Sequence, residues 1–443
     1  MSTETLSVGT GAIGDADIFA ARQEFSGGLP DWFTTMQREH WTRFLESPDP
    51  TRLDETWRFS DLRPLSKIAG FVPTPFEKPD ADDLIARSNT VKNPAGQLVF
   101  VDDNLAAARV MDAELEKKGV IFTTLFDALN NHGDLVREYF MKETPQLGSE
   151  KYEALHVALV RSGVFLYVPD GVEVDRPFVV YNWTQQEKGA VFPHTLFVSG
   201  KHSKSTLVEF QRAASTETEH LVISNAHVFS GDGSETNHRI IQDWNTKTLS
   251  FQLNTNNADR DTNAKSIIVN VGSSQARQEV HGKIFGSGSN VEMYSVNVPR
   301  KDQQFDQRTL QTHLAPHSRS DLLFKNALLD KSRTIFSGLI IVEEGAQQTD
   351  AYQTNNNLML SGDAESNALP GLEIKANDVK CSHGATTGRI DESNLFYFLA
   401  RGITRSKAHE LIVFGFLEEV IEKFGDEALE DYVRGRLAEK SLA

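Results

Sequence analysis

From residue 163 to about residue 380 the chain repeats one short cadence, and that cadence restricts the fold more than any other feature. Runs such as GVFLYVPDG, TLFVSGKHSKSTLVEF, HLVISNAHVFSGDGS and SIIVNVGSSQARQEVHGKIFGSGSNVEMYSVNV follow one another with no helical pattern between them. Strand-favouring residues sit inside each run and Gly, Ser, Asn or Asp outside it, and the starts fall roughly 11 to 16 residues apart. A sandwich, a barrel or a coiled solenoid answers to such a pattern. So long a span is large for one sandwich core. The polar middles (VEF, NAH, FKN, QTNNN) suit strands with one face on a narrow interior and the other in water. Asn355, Asn356 and Asn357 in a row fit stacked coils, where amides hydrogen-bond from turn to turn.

The flanks read differently. DWFTTMQREHWTRFL places Trp32, Phe33, Met36, His40, Trp41 and Phe44 near a helical period until SPDPTR stops the helix, with His40 on the edge of the apolar stripe. Between about residues 95 and 160 short strands, QLVFV and GVIFTTL, alternate with helices predicted over Leu105–Lys117 and Glu150–Arg161. After Gly388 the chain turns helical again. Asp391 is the expected N-cap of a helix ending at Gly402, and Thr404 opens a second one. On that helix Ala408, Leu411, Ile412 and Gly415 mark one apolar stripe, and Val413, Leu417, Val420 and Phe424 mark another. One stripe suffices for a surface helix, so two predict burial within the chain or cover by a partner. The last segment, with Leu429, Tyr432, Val433 and Leu437, is a plain amphipathic helix. The expected organisation is a helical and α+β region over 1–160, a β core over 161–390 and a helical region over 391–443.

Lys and Arg number 45 against 62 Asp and Glu, a formal net charge of −17. That balance argues against nucleic acid and anionic membrane as partners, since both are recognised through basic residues. No stretch approaches the roughly 20 apolar residues of a membrane span, and the N-terminus lacks a basic-then-apolar signal pattern. With a single cysteine, the expected compartment is the cytoplasm. Gly200-Lys201-His202 lacks the upstream glycine of a phosphate loop, and no G-x-S-x-G, H-E-x-x-H or C-x-x-C motif occurs, so neither ATP hydrolysis nor a conventional hydrolase or zinc site is expected. GSGSN at Gly286–Asn290 lies between strands and reads as a turn. His313 and His317 have metal spacing only on a helix, which Pro316 interrupts; a turn is expected there.

The lone cysteine stands in KCSHGATTGRID. If the strand ANDVKCSHG continues through it, Cys381 and His383 project to one side about 6.5 to 7 Å apart at their Cα atoms, while Ser382 faces away. Thiolate and imidazole suit iron and other soft or borderline metals, and Lys380 is placed to help hold the thiolate. Two ligands do not close a site. Either the pair is a structural cysteine beside a turn histidine, or it is half of a site that another chain completes.

VKCSHGATTGRIDESNLFYFLARGI, followed by A-x-x-L-I-x-x-G-F, resembles the C-terminal signature of the SufB/SufD family of iron–sulfur cluster assembly proteins. The likeness extends through THLAPHSRSDLLFKNALLD, FSGLIIVEEGAQQTDAYQTNNNLMLS and PGLEIKANDVK, and reaches the N-terminal PTRLDETWRFSDLRPL. Cys-Ser-His-Gly-Ala-Thr and the single cysteine are similar to the SufD branch. The resemblance implies a mostly β protein, with a right-handed parallel β-helix core between helical N- and C-terminal regions. It implies a non-catalytic scaffold subunit that pairs with SufB as a heterodimer and binds the SufC ATPase; a homodimer is the alternative assembly of the isolated chain. It further implies that His383, with Cys381 beside it, shares iron or a transient iron–sulfur cluster with SufB, with no cofactor expected in the isolated chain. The helix carrying Phe414, Phe416, Leu417 and Val420 becomes the expected SufC-docking element. Two other readings are a SufB-like primary scaffold, against which the single cysteine speaks, and a carbohydrate-active β-helix enzyme, which predicts clustered acids on adjacent turns.

Overall fold

The computed structural model describes residues 13–24 and 28–442; the extreme N-terminus read above for a signal, residues 1–12, lies outside them. The β core is a parallel solenoid built from two sheets. One sheet runs from Gly163–Val168 and His194–Ser199 through His220–Ser230, Leu249–Ala258, Gln275–Ile284, Gln304–His313 and Arg333–Val342 to Glu365–Ile374. The other runs from Phe178–Thr184 through Lys204–Ala213, Glu235–Asp243, Asn263–Asn270, Asn290–Asn297, Arg319–Leu328 and Asp350–Met359 to Lys380–Arg389. Successive strands alternate between the sheets, so each coil contributes one strand to each. A coil takes between 26 residues, as from Leu249 to Gln275, and 32, as from Arg333 to Glu365. The sequence cadence of half that length is the spacing between strands, not between coils.

The interior is narrow and mixed. Apolar clusters such as Ile240, Ile268, Val280, Met293, Leu322, Phe324 and Phe336 fill its middle. Beside them runs a row of amides: Asn182, Gln211, Gln242, Asn270, Asn297, Asn326 and Asn357 occupy one register position on seven successive coils. Within the row Asn270 Nδ2 donates to Asn297 Oδ1 at 2.8 Å, and Asn326 Nδ2 donates to Asn357 Oδ1 at 2.7 Å. The stacked amides expected from the asparagine triplet are thus present at Asn357. Asn356 points the other way and takes a bond from Thr386 Oγ1 at 2.7 Å.

The two ends of the solenoid differ. At the N-terminal end antiparallel strands close it: Ile121–Thr124 pairs with Gly163–Val168, and the hairpin of Gly96–Val101 and Asn104–Arg109 adds to Phe178–Thr184. That hairpin corrects the helix predicted over Leu105–Lys117, of which only Ala113–Lys117 is helical. The alanines favour helix, but Asp102 and Asp103 take positive φ (49° and 67°) in a tight hairpin turn. Tertiary contacts hold them there: the Asp102 carboxylate accepts the backbone N–H groups of Gln185 and Gln186, and Asp103 accepts Phe192 N–H and Arg22 Nη2. At the C-terminal end the sheets stop at Glu365–Ile374 and Lys380–Arg389, with no further strand on either among the described residues.

The N-terminal region covers the outer face of the first sheet. Asp31–Glu46 and Glu150–Leu159 are helices as expected, and Phe33, Trp41, Trp57, Tyr152 and Leu155 pack with Phe192, Leu221, Phe251 and Leu253 of the solenoid. A buried charge cluster fastens the join. Arg277 lies over the Trp57 ring at 4.1 Å, donates to the carbonyls of Thr56 and Leu147, and pairs with Glu279 at 2.9 Å and Asp306 at 2.7 Å. The C-terminal helices Arg405–Ile421 and Glu427–Leu442 cover the outer face of the second sheet. No helix among the described residues is long and apolar enough to cross a membrane.

Candidate metal half-site at the open end of the solenoid

Lys380–Arg389 is the last strand of its sheet, held along one edge only by Asp350–Met359, with Cys381 in register with Ala351 and His383 with Gln353. Side chains alternate across a strand, so the packing of Cys381 fixes which side its neighbours take. Cys381 is half-buried against Leu372 and Val379 and the cluster of Ile340, Val342, Ala346, Ala351 and Ala376. It therefore points to the inner side, and His383, two residues on, shares that side at the uncapped mouth, where it is exposed. Ser382 and Lys380 lie on the opposite side, both exposed. The structure thus brings the thiol and the imidazole together as the strand argument predicts, but it removes Lys380 as a support for the thiolate. Burial pushes the Cys381 thiol above its ordinary range, with a smaller contribution from the Asp350 carboxylate.

The terminal strand of the other sheet and the helix after Arg389 carry exposed apolar side chains. Leu369 and Ile374 on the other terminal strand are exposed, and Phe396 (70%) and Tyr397 (56%) stand out from the helix Glu392–Leu399 that follows. Asp391 caps that helix by accepting Ser393 N–H at 2.8 Å, and Gly402 ends the turn beyond it at φ 77°, both as expected.

Thr404 caps the next helix by accepting Lys407 N–H at 3.3 Å. Its two stripes have separate fates. Val413, Leu417, Val420 and Phe424 are buried against the second sheet, with Leu417 and Val420 at 0% exposure. Those two are therefore occupied by the chain's own solenoid, which corrects their expected place on a partner-facing surface. Phe414 and Phe416 are partly buried, and Lys325 Nζ sits 5.0 Å from the Phe416 ring. Of the other stripe, Ala408 is fully buried and Ile412 partly buried, while Leu411 and Gly415 are exposed.

The remaining histidines do not gather at this mouth. His313 is buried and bonded to Ser318 Oγ at 2.7 Å and Ser320 Oγ at 2.8 Å, whereas His317 is exposed in a turn at φ 58°, as the proline predicts. His40 bonds the carbonyl of Met36 at 2.9 Å. Among the described residues no group of three or more His, Cys, Asp or Glu side chains converges on a metal position. A buried trio escaped the sequence reading: His156 of the helix Glu150–Leu159 bonds His194 at 3.1 Å, and the His194 ring lies 5.2 Å from that of His227. His156 and His194 are 38 residues apart, so no local spacing announces them. The acids on adjacent coils, Glu279 and Asp306, are ion-paired beneath the N-terminal region rather than lining a substrate cleft.

The geometry defines a β-solenoid whose N-terminal end is closed off by antiparallel strands and whose other end is open, with a thiol and an imidazole on one side of its terminal strand. Comparison with known proteins gives the class a family. The family model described as the SufBD core domain of SUF-system FeS cluster assembly matches residues 181–416, and the SufBD N-terminal region model matches residues 21–180. The chain is 30% identical over 417 residues to the iron–sulfur cluster assembly protein SufD of Escherichia coli, covering 91% of this chain and 92% of that one. It is 29% identical over 390 residues to SufD of Bacillus subtilis, covering 86% of each. To a SufBD family protein of Pyrococcus horikoshii it is 26% identical over 404 residues, covering 89% of each. This chain belongs to the SufB/SufD family of iron–sulfur cluster assembly proteins.

Proposed function

We propose that this chain is the non-catalytic SufD-type subunit of a cytoplasmic scaffold, joined at its open end to a SufB-type solenoid and carrying a SufC-type ATPase on its C-terminal helices. One observation supports this most: Cys381 and His383 stand on a terminal strand with an unpaired edge, and the terminal strand of the other sheet exposes Leu369 and Ile374. Two unpaired strands at one end invite a second chain. The cargo is iron or a nascent iron–sulfur cluster, for which thiolate and imidazole are fitting ligands.

The half-buried Cys381 thiol, pushed up by desolvation, stays protonated in the isolated chain. Metal ligation requires it to lose that proton, so binding is favoured only where a partner supplies further ligands and closes the mouth. His383, exposed, is available without rearrangement. For the ATPase, the free surface of the helix Arg405–Ile421 comprises Leu411 and Gly415 with the partly buried Phe414 and Phe416. The test is His383→Ala. Folding and ATPase binding persist in that variant, while cluster formation by the reconstituted complex is impaired; undiminished cluster formation removes His383 from the mechanism.

A further inference from the structure

Directly beneath His383 lies a side chain that the fold leaves unsatisfied. Gln353 pairs in register with His383, is 1% exposed, and neither its Oε1 nor its Nε2 has a hydrogen-bond partner. The same register position on the two preceding coils is held by Leu322 and Met293. Deeper in the solenoid the position is polar but satisfied at His238, whose Nε2 lies 2.6 Å from Glu209 Oε1; it is apolar on the two coils beneath Gln353 and polar again, with no partner, at the coil under the imidazole. An apolar residue is the default there, because leaving both ends of a buried amide unbonded is destabilising.

The opposite wall makes room for it. A Cβ on Gly338 would stand 2.6 Å from Gln353 Oε1 and 2.6 Å from Thr309 Oγ1, so the glycine keeps open the space the amide occupies. Thr309 Oγ1 and Asn355 Nδ2 are likewise buried without a partner. Three polar side chains with unused bonding capacity thus lie within the two coils below the mouth, Gln353 and Asn355 on the upper one and Thr309 on the lower.

In-register residues on neighbouring parallel strands sit about 4.8 Å apart with their side chains pointing alike, which puts the Gln353 amide within reach of the His383 ring. A histidine that ligates a metal with one ring nitrogen donates its other N–H to an oxygen acceptor, and that bond fixes the tautomer and the ring direction. We propose that Gln353 is the positioning residue of the half-site: its Oε1 accepts the free N–H of His383 when the other ring nitrogen binds iron or the cluster. The inference rests on the reading of His383 as a shared ligand and adds the residue that aims it.

The unmet hydrogen bonds give the test its discrimination. Gln353→Leu and Gln353→Met keep the volume and remove two unbonded polar atoms, so the thermal midpoint of the isolated chain stays level or rises. A residue kept for structure would lower it. In the complex with the SufB-type and ATPase partners, both variants weaken cluster formation by about 10- to 100-fold, the usual range for loss of a ligand's supporting bond. Anaerobic equilibrium dialysis with Fe2+, counted as the difference from the His383→Ala complex, falls by a similar factor. Gln353→Glu, which retains an acceptor at the same place, keeps more of both than either apolar variant. Wild-type iron binding and cluster formation in Gln353→Leu, with His383→Ala impaired, overturns the positioning role alone. Undiminished cluster formation in His383→Ala overturns the half-site itself, and the positioning role with it.

Discussion

Acid should loosen the join between the N-terminal region and the solenoid, and His227→Phe should remove a measurable share of that sensitivity. His156 Nδ1 lies 2.7 Å from the carbonyl of Ile223, so it must carry the proton, which leaves Nε2 to accept from His194 Nδ1 at 3.1 Å. His194 Nε2 and both nitrogens of His227 then have no partner. Desolvation lowers all three below the ordinary histidine range, His156 to about 4 and His227 to about 3, with Lys283 adding to the effect at His227. The sign follows from proton counting. Below the unfolded value of about 6.5 the unfolded chain binds protons that the folded chain refuses, so stability falls as pH falls from there toward the folded values. At pH 5 the unfolded histidine is almost wholly charged while His227, held at about 3, is neutral, and that single residue removes about 2 kcal/mol relative to neutral pH. Phenylalanine fills a similar space and loses no hydrogen bond. Its packing effect is present at both pH values and cancels in the comparison, as does Glu153, whose carboxyl burial raises to about 8. Urea unfolding of both chains at pH 7 and pH 5 gives the quantity directly: the wild type loses about 2 kcal/mol more between the two than the variant. Equal losses would refute the argument, because they would mean that His227 is not a buried neutral group in the folded chain.

Other consequences are as specific. Arg277→Met leaves Glu279 and Asp306 partly uncompensated beneath Trp57 and lowers stability by about 3 to 5 kcal/mol, read as a lowered thermal midpoint; a change below about 1 kcal/mol would show that the cluster does not fasten the join. Gly415→Glu places a charged side chain where nothing lies within 4 Å of the added Cβ, so the fold is unaffected while co-purification with the ATPase is lost; full co-purification would move the docking surface off this helix.

How far the sequence revealed this structure depends on the range of the interaction concerned. The solenoid was legible because its signal is local and repeated: alternating strands, polar turns and an asparagine run whose Asn357 enters the amide row. The pairing of Cys381 with His383 was legible for the same reason, since strand period alone puts residues two apart on one side. What failed was set by tertiary context. Leu105–Ala108 looks helical until the buried partners of Asp102 and Asp103 fold it back as a strand. The two stripes of Arg405–Ile421 announce two contacts but not which one the parent chain takes; Leu417 and Val420 went to the solenoid because they fall on the same side as Val413 and Phe424. Lys380 adjoins Cys381 in sequence, yet strand alternation turns it away. The role proposed for Gln353 has no sign in the sequence, because it depends on the residue one coil on.

The asymmetry of the ends bears on why a solenoid suits this task. Parallel coils stack without limit, since every new strand leaves an edge like the one it covered. A chain that acts alone must stop that growth at both ends. Here the N-terminal end is stopped by antiparallel strands and a tight hairpin, and backbone hydrogen-bonding groups of the first coils are taken up by strands of the same chain. At the other end the chain instead leaves two strand edges, exposed Phe396 and Tyr397, and the side chains of Cys381 and His383 at the mouth. A defect of stability would be spread over whatever residues chance placed there. The one cysteine of the chain, a histidine two residues on and an unsatisfied amide below them share that edge, and on the proposed reading the edge that takes a partner for its backbone bonds is also the edge that takes further ligands. On the proposed reading docking and metal binding become one event, and a chain that has not docked is expected to hold iron weakly and release it readily.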